Sequence, residues 1–206
     1  MATRNRGKIK ELEALLSGMV DRILCAADLA GFPDTVEDGA TFEENALKKA
    51  REAAAFSGIP ALADDSGLTV AALDGRPGVY SARYAGEGAG DDANNRHLLR
   101  ELQDVPVGAR QAAFVCALAF VTPQGLERTF AGRLAGQILE SPQGSGGFGY
   151  DPLFLVDGFS CSLAELELEQ KNRISHRAQA FQQFLEYLQQ TNLASGPGAA
   201  RTDWGN

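Results

Sequence analysis

Apolar positions along this chain switch between helical and strand spacing, and the switches mark its elements. Ile9, Leu12, Leu15 and Leu16 share one helical face directly after Gly7-Lys8. The polar segment TRNRGK, Thr3 to Lys8, is therefore expected to be a loop entering a helix N-terminus, an end that attracts phosphate. Thr41 and Glu44 have the T-x-x-E spacing of a capping box, which predicts a helix running through about Ala54 and stopping before Gly58. Ile59 to Ala63 reads as a short buried strand delivering Asp64 and Asp65, and Leu68 to Leu73 as a second short strand. Gly75-Arg76-Pro77-Gly78 is a turn.

Further on, Asp91 is placed to cap a helix through about Gln103, and Ala112 to Val121 is an almost unbroken apolar run that suits a doubly covered central strand. Pro123-Gln124-Gly125 turns the chain back into Leu126 to Leu139, whose partial alternation fits an antiparallel partner with one more exposed face. A glycine-rich loop, Gly144 to Gly149, precedes a short strand, Leu153 to Val156. Ser162 and Glu165 repeat the capping-box spacing. Ser175 caps a helix with Ala178, Phe181, Phe184, Leu185 and Leu188 on one face. The apolar pattern stops at Ser195, so residues 195–206 are expected to be a disordered tail behind a single domain over 1–194. The alternation of elements implies an α/β domain with a mixed sheet flanked by helices.

Composition narrows the function classes. At 206 residues and 44% hydrophobic content the chain can bury a sizeable core without disulfides. Cys25, Cys116 and Cys161 have no paired or CxxC spacing and lie in or beside apolar stretches, which reads as reduced, buried thiols in a cytoplasmic protein. No apolar run approaches the roughly 18 residues of a membrane span, and no signal core follows the N-terminus, so no membrane partner is expected. A net charge of -8 argues against a nucleic-acid partner. A compact polyphosphate remains possible.

Candidate chemistry centres on Ala63-Asp64-Asp65-Ser66-Gly67-Leu68. Paired carboxylates are what Mg²⁺ prefers, and a following hydroxyl and glycine let a phosphate approach closely. Read with TRNRGK, EDGATFEENALKKAR at Glu37 to Arg51, GRPGVYSARYAGE, GGFGYDP at Gly146 to Pro152 and KNRISHR at Lys171 to Arg177, it resembles the inosine triphosphate pyrophosphatase family over nearly the whole chain. The resemblance implies an elongated central sheet, two lobes with a substrate cleft between them, and a homodimer. It also implies hydrolysis of deaminated purine nucleoside triphosphates (ITP, dITP, XTP) to monophosphate and pyrophosphate, by attack at the α-phosphorus.

The same resemblance distributes the roles. Thr3, Asn5 and Lys8 would hold the triphosphate within a substrate loop that also contains Arg4, Arg6 and Gly7; Arg4, where many relatives carry glycine, is expected to point outward. Glu37 and Asp65 would hold one Mg²⁺, with Asp64 in reserve, and Asp65 would also position or deprotonate the attacking water. Lys49 would reach the polyphosphate and Ser66 donate to a phosphate oxygen. Phe148, Gly149, Tyr150 and Asp151 would lie beside the nucleoside. Lys171, His176 and Arg177 are donors, which suits a 6-keto purine and mismatches the 6-amino group of adenine. The competing readings are a pyrophosphatase for other modified nucleotides and a nucleotide-binding regulator without turnover; Glu37, Asp65 and Lys8 argue against the second. Because relatives carry several apolar residues before the block matching Thr3 to Lys8, the chain is also expected to begin inside, or at the end of, its first strand.

Overall fold

The computed structural model describes Met1, Ala2 and residues 22–191. The expected phosphate loop from Thr3 to Lys8, the helix behind it and the expected tail lie outside the described residues. Among the described residues, four strands form one antiparallel sheet in the order β1 (Ala61–Val70), β2 (Gln111–Val121), β3 (Glu127–Ile138), β4 (Phe154–Val156). β2 and β3 form the hairpin expected at Pro123-Gln124-Gly125, closed by Thr122 N donating to Leu126 O at 2.9 Å. β4 pairs with the end of β3, with Ile138 opposite Phe154. The helices are α1 (Phe42–Ser57), α2 (Asp91–Glu101), α3 (Leu168–Ile174) and α4 (His176–Gln190).

Helix α1 is built by its ends. Glu44 N donates to Thr41 Oγ1 at 3.1 Å and Thr41 N to Glu44 Oε2 at 3.2 Å, so the capping box forms and contributes about 1 kcal/mol. Gly58 closes the helix with φ 68°. Its inward residues Ala46, Ala50, Ala53 and Ala54 cluster with Ala61, Ala63, Ala117 and Ala119. Such small side chains let helix and strand backbones approach closely, which brings longer residues of the same helix face within reach of β1.

The chain divides into two compact units. One contains the described residues of 1–65, 117–131 and 180 onward. Its core is the alanine-rich cluster with an aromatic group centred on Phe184, whose ring centre lies 5.4 Å from that of Phe120 and 5.6 Å from that of Phe130. The other, residues 66–116 and 132–179, is packed around Leu68, Leu98, Leu102, Phe114, Leu153 and Phe154.

Local structure departs from expectation in four places. Ile59–Ala63 and Leu68–Leu73 are not two strands: β1 runs unbroken through Asp64, Asp65, Ser66 and Gly67, and ends at Val70. Buried partners satisfy Asp65 inside the strand, so the acids do not force a turn. Gly90, not Asp91, precedes α2, without a side-chain cap. Ser162 N donates to Glu165 Oε2 at 2.8 Å, but the Ser162 hydroxyl is spent on Gln143 O at 2.7 Å, so only a turn forms there and the next helix starts at Leu168. All three cysteines are free, as expected, yet only Cys116 is buried. No helix among the described residues is long and apolar enough to cross a membrane.

Candidate active site

The first unit brings three expected residues together. Lys49 Nζ donates to Glu37 Oε1 at 2.9 Å and to Asp65 Oδ1 at 3.1 Å. Lys49 is placed by α1, Asp65 by β1, and Glu37 by the segment leading into the helix cap. A fourth residue, with no role assigned from sequence, completes the group. Asn45 lies one helical turn before Lys49 and is 1% exposed. Its Nδ2 donates to Asp65 Oδ2 at 3.1 Å, while its Oδ1 accepts from Gly39 N at 2.8 Å. The signal for it is the i, i+4 pairing of Asn45 and Lys49 beside the apolar face of a capped helix. Asp64 is also buried, and Ser66 is half-buried one residue beyond Asp65.

Burial pushes the Asp65 carboxyl above the ordinary aspartate range; Lys49 opposes this, Glu37 adds to it, and Asn45 opposes it weakly. Burial would pull Lys49 down, but Asp65 and Glu37 outweigh it and hold the ammonium above its ordinary value. The group thus gathers two hard oxygen ligands around one positive charge. Among the described residues no three His, Cys, Asp or Glu side chains gather as a metal cage. Two protein carboxylates suffice for Mg²⁺ when phosphates and waters complete its shell, so the donor set fits such a cation.

The raised Asp65 pKa has a testable consequence. A carboxyl with a folded pKa above its unfolded value is held more tightly as the neutral form in the fold. Its contribution to stability is present at low pH and lost as pH rises through the folded pKa. Asn45 donates to the ionised form, so Asn45→Ala is expected to move the Asp65 titration still higher. Carboxyl-carbon NMR of the metal-free protein measures this; an unchanged or lowered titration would show that Asn45 does not tune Asp65.

The second unit assembles the other expected block. Phe148 is not packed into the core: it is 52% exposed. Lys171 Nζ lies 5.1 Å and Arg177 Cζ 5.2 Å from the centre of its ring, within cation–π range. Tyr150 does the opposite, being 4% exposed with its hydroxyl donating to Ser81 O at 2.8 Å; burial raises its pKa. Of the two aromatic residues, the one that offers a face is Phe148. Asp151 is buried, accepts from Phe148 N at 2.9 Å and forms an ion pair with Lys171. A Cβ at Gly147 would collide with Asp151 Oδ2 and come within 3.0 Å of Lys171 Nζ, so glycine there makes room for that pair. Ser175 caps α4 through Ala178 N at 3.1 Å. The cap sets His176 against Phe114, stacked at 5.1 Å between ring centres with 12° between planes, while Arg177 comes beside Phe148.

Two further residues of this unit carry no site role in the sequence pattern, Asp91 being expected there only as a helix cap. Asp91 and Asn95 of α2 both bond Gly149, and no local pattern links positions so far apart in the chain.

Residues 1–187 match the model of the Ham1 family. A dITP/XTP pyrophosphatase of Geobacter sulfurreducens is 56% identical over 188 residues, covering 91% of this chain and 94% of the relative. One from Desulforamulus reducens is 50% identical with the same coverage. Among solved structures, a HAM1 protein from Coxiella burnetii aligns with a TM-score of 0.86 at 40% identity, over 91% of this chain and 96% of that one.

Proposed function

Since the chain belongs to the Ham1 family, we propose that it hydrolyses ITP, dITP and XTP to the nucleoside monophosphate and pyrophosphate. The observation that carries this reading is the exposed Phe148 ring flanked by Lys171 and Arg177. An aromatic face stacks on a purine, and partners that can only donate match a 6-keto oxygen while leaving adenine's amino group unpaired. His176, fixed by its stack on Phe114, belongs to the same donor set in this reading. Gly149, Tyr150 and Asp151 shape the loop that carries Phe148.

The Glu37–Lys49–Asp65 group takes the phosphate chemistry. Asp65, ionised, accepts the proton of the attacking water, and Asn45 holds the carboxylate in one orientation. Lys49 offers a compact positive charge to phosphate oxygens, Ser66 offers a hydroxyl donor, and Thr3, Asn5 and Lys8, by the family resemblance, would add further donors to the triphosphate. Glu37 and Asp65 would hold a divalent cation, Mg²⁺ in this reading. When bound, it would offset charge on the phosphates and lower the pKa of a bound water.

A panel of nucleoside triphosphates with product identification tests the proposal. ITP, dITP and XTP are expected to yield monophosphate and pyrophosphate far faster than ATP does. Orthophosphate as product, equal turnover of ATP, or binding without release of pyrophosphate would each sink it.

A further inference from the structure

Gly149 has φ 63°, and side chains from a distant helix hold both of its backbone groups. Its N–H donates to Asp91 Oδ2 at 2.6 Å, and its carbonyl accepts from Asn95 Nδ2 at 3.0 Å. Asp91 and Asn95 are four residues apart on α2, so they share a helix face. The neighbours of Gly149 are pinned as well: Tyr150 by its hydroxyl bond to Ser81 O, and Phe148 by its N–H bond to Asp151. The Phe148 ring is what projects from this otherwise tied loop.

We propose that Asp91 and Asn95 are positioning residues for nucleobase recognition, clamping Gly149 so that Phe148 presents its ring at one fixed angle beside Lys171 and Arg177. The proposal rests on the reading of Phe148 as the base platform. Two features favour a functional over a merely structural origin. Asn95 is 7% exposed, and its Oδ1 has no hydrogen-bond partner among the described residues. Burying an unmatched carbonyl is unfavourable, and such groups persist where another requirement holds them. Asp91, in the first turn of α2, directs a carboxylate oxygen to Gly149 N, although α2 has no side-chain cap of its own.

Fixing a stacking surface in advance spares the ordering cost when the base arrives, so the clamp acts on binding rather than on the bond-breaking step. Its loss is a KM effect.

Steady-state ITP kinetics and thermal melting of Phe148→Ala, Asp91→Ala, Asp91→Asn and Asn95→Ala test this. Asp91→Ala and Asn95→Ala are each expected to raise KM about tenfold, the loss of one hydrogen bond in a matched site, with kcat and melting temperature little changed. Asp91→Asn keeps an acceptor for Gly149 N and is expected to restore KM. If Phe148→Ala raises KM while Asp91→Ala and Asn95→Ala do not, the clamp is refuted and the base platform stands. If Phe148→Ala leaves KM unchanged, the platform itself falls and the clamp with it. An Asp91→Asn variant as poor as Asp91→Ala would assign the effect to charge and overturn the hydrogen-bond role. Should Asn95→Ala fail to fold, the two Asp91 variants decide.

Discussion

Asp65→Asn is expected to lower kcat/KM for ITP by about 10²–10⁴-fold, the usual contribution of a positioned general base, while the melting temperature stays near that of the parent. The amide keeps the shape of the side chain but can neither accept the proton nor serve as an anionic ligand. Structurally the change is mild. Lys49 retains Glu37 as partner, so no buried ammonium is stranded. At most one hydrogen bond to Asn45 or Lys49 is lost, about 1 kcal/mol. The raised pKa of Asp65 works in the other direction, because the fold disfavours the charge that the amide removes. Near-parental turnover of ITP would refute the assigned mechanism. A collapse of the melting temperature would recast Asp65 as structural.

Arg177→Ala is expected to reduce kcat/KM on ITP and XTP by roughly 5- to 150-fold, the 1–3 kcal/mol of leaving a matched polar partner unpaired, with a smaller loss on residual ATP activity. Arg177 is the cleaner probe of the donor set. His176 is stacked on Phe114 inside the second unit, so truncating it also removes core packing. Lys171 is tied to buried Asp151, whose charge its loss would strand. Arg177 is half-buried and adjoins the exposed Phe148 ring, so its truncation acts directly on the face offered to the base, and the melting temperature of the variant separates that from a loss of packing. Equal losses on all nucleotides would place Arg177 on the phosphates instead of the base.

What the amino-acid sequence determines alone is what short-range bonds decide. The α1 capping box closes within four residues and its glycine stop needs only φ above zero, so both ends of that helix are legible. The β2 strand is legible from its apolar run, and Ser175 as a cap from its place before an amphipathic stretch. Blocks such as ADDSGL, GGFGYDP and KNRISHR carry the family resemblance in the same local way.

Decisions that depend on which buried group finds a partner were not legible. Asp64-Asp65-Ser66-Gly67 looks like a strand end because acids and glycine leave sheets when they must meet water. Inside the fold Asp65 meets Lys49 and Asn45, so β1 continues through it. Phe148 and Tyr150 look alike in sequence. Tyr150 goes inward because its hydroxyl reaches Ser81 O, 69 residues away, and Phe148 is left at the surface. Asp91 looks like a cap because its helix lies next to it in the chain, yet its carboxylate goes to Gly149 N, 58 residues on. A buried or backbone polar group must be matched wherever a partner comes to lie, and only the tertiary fold brings those partners near.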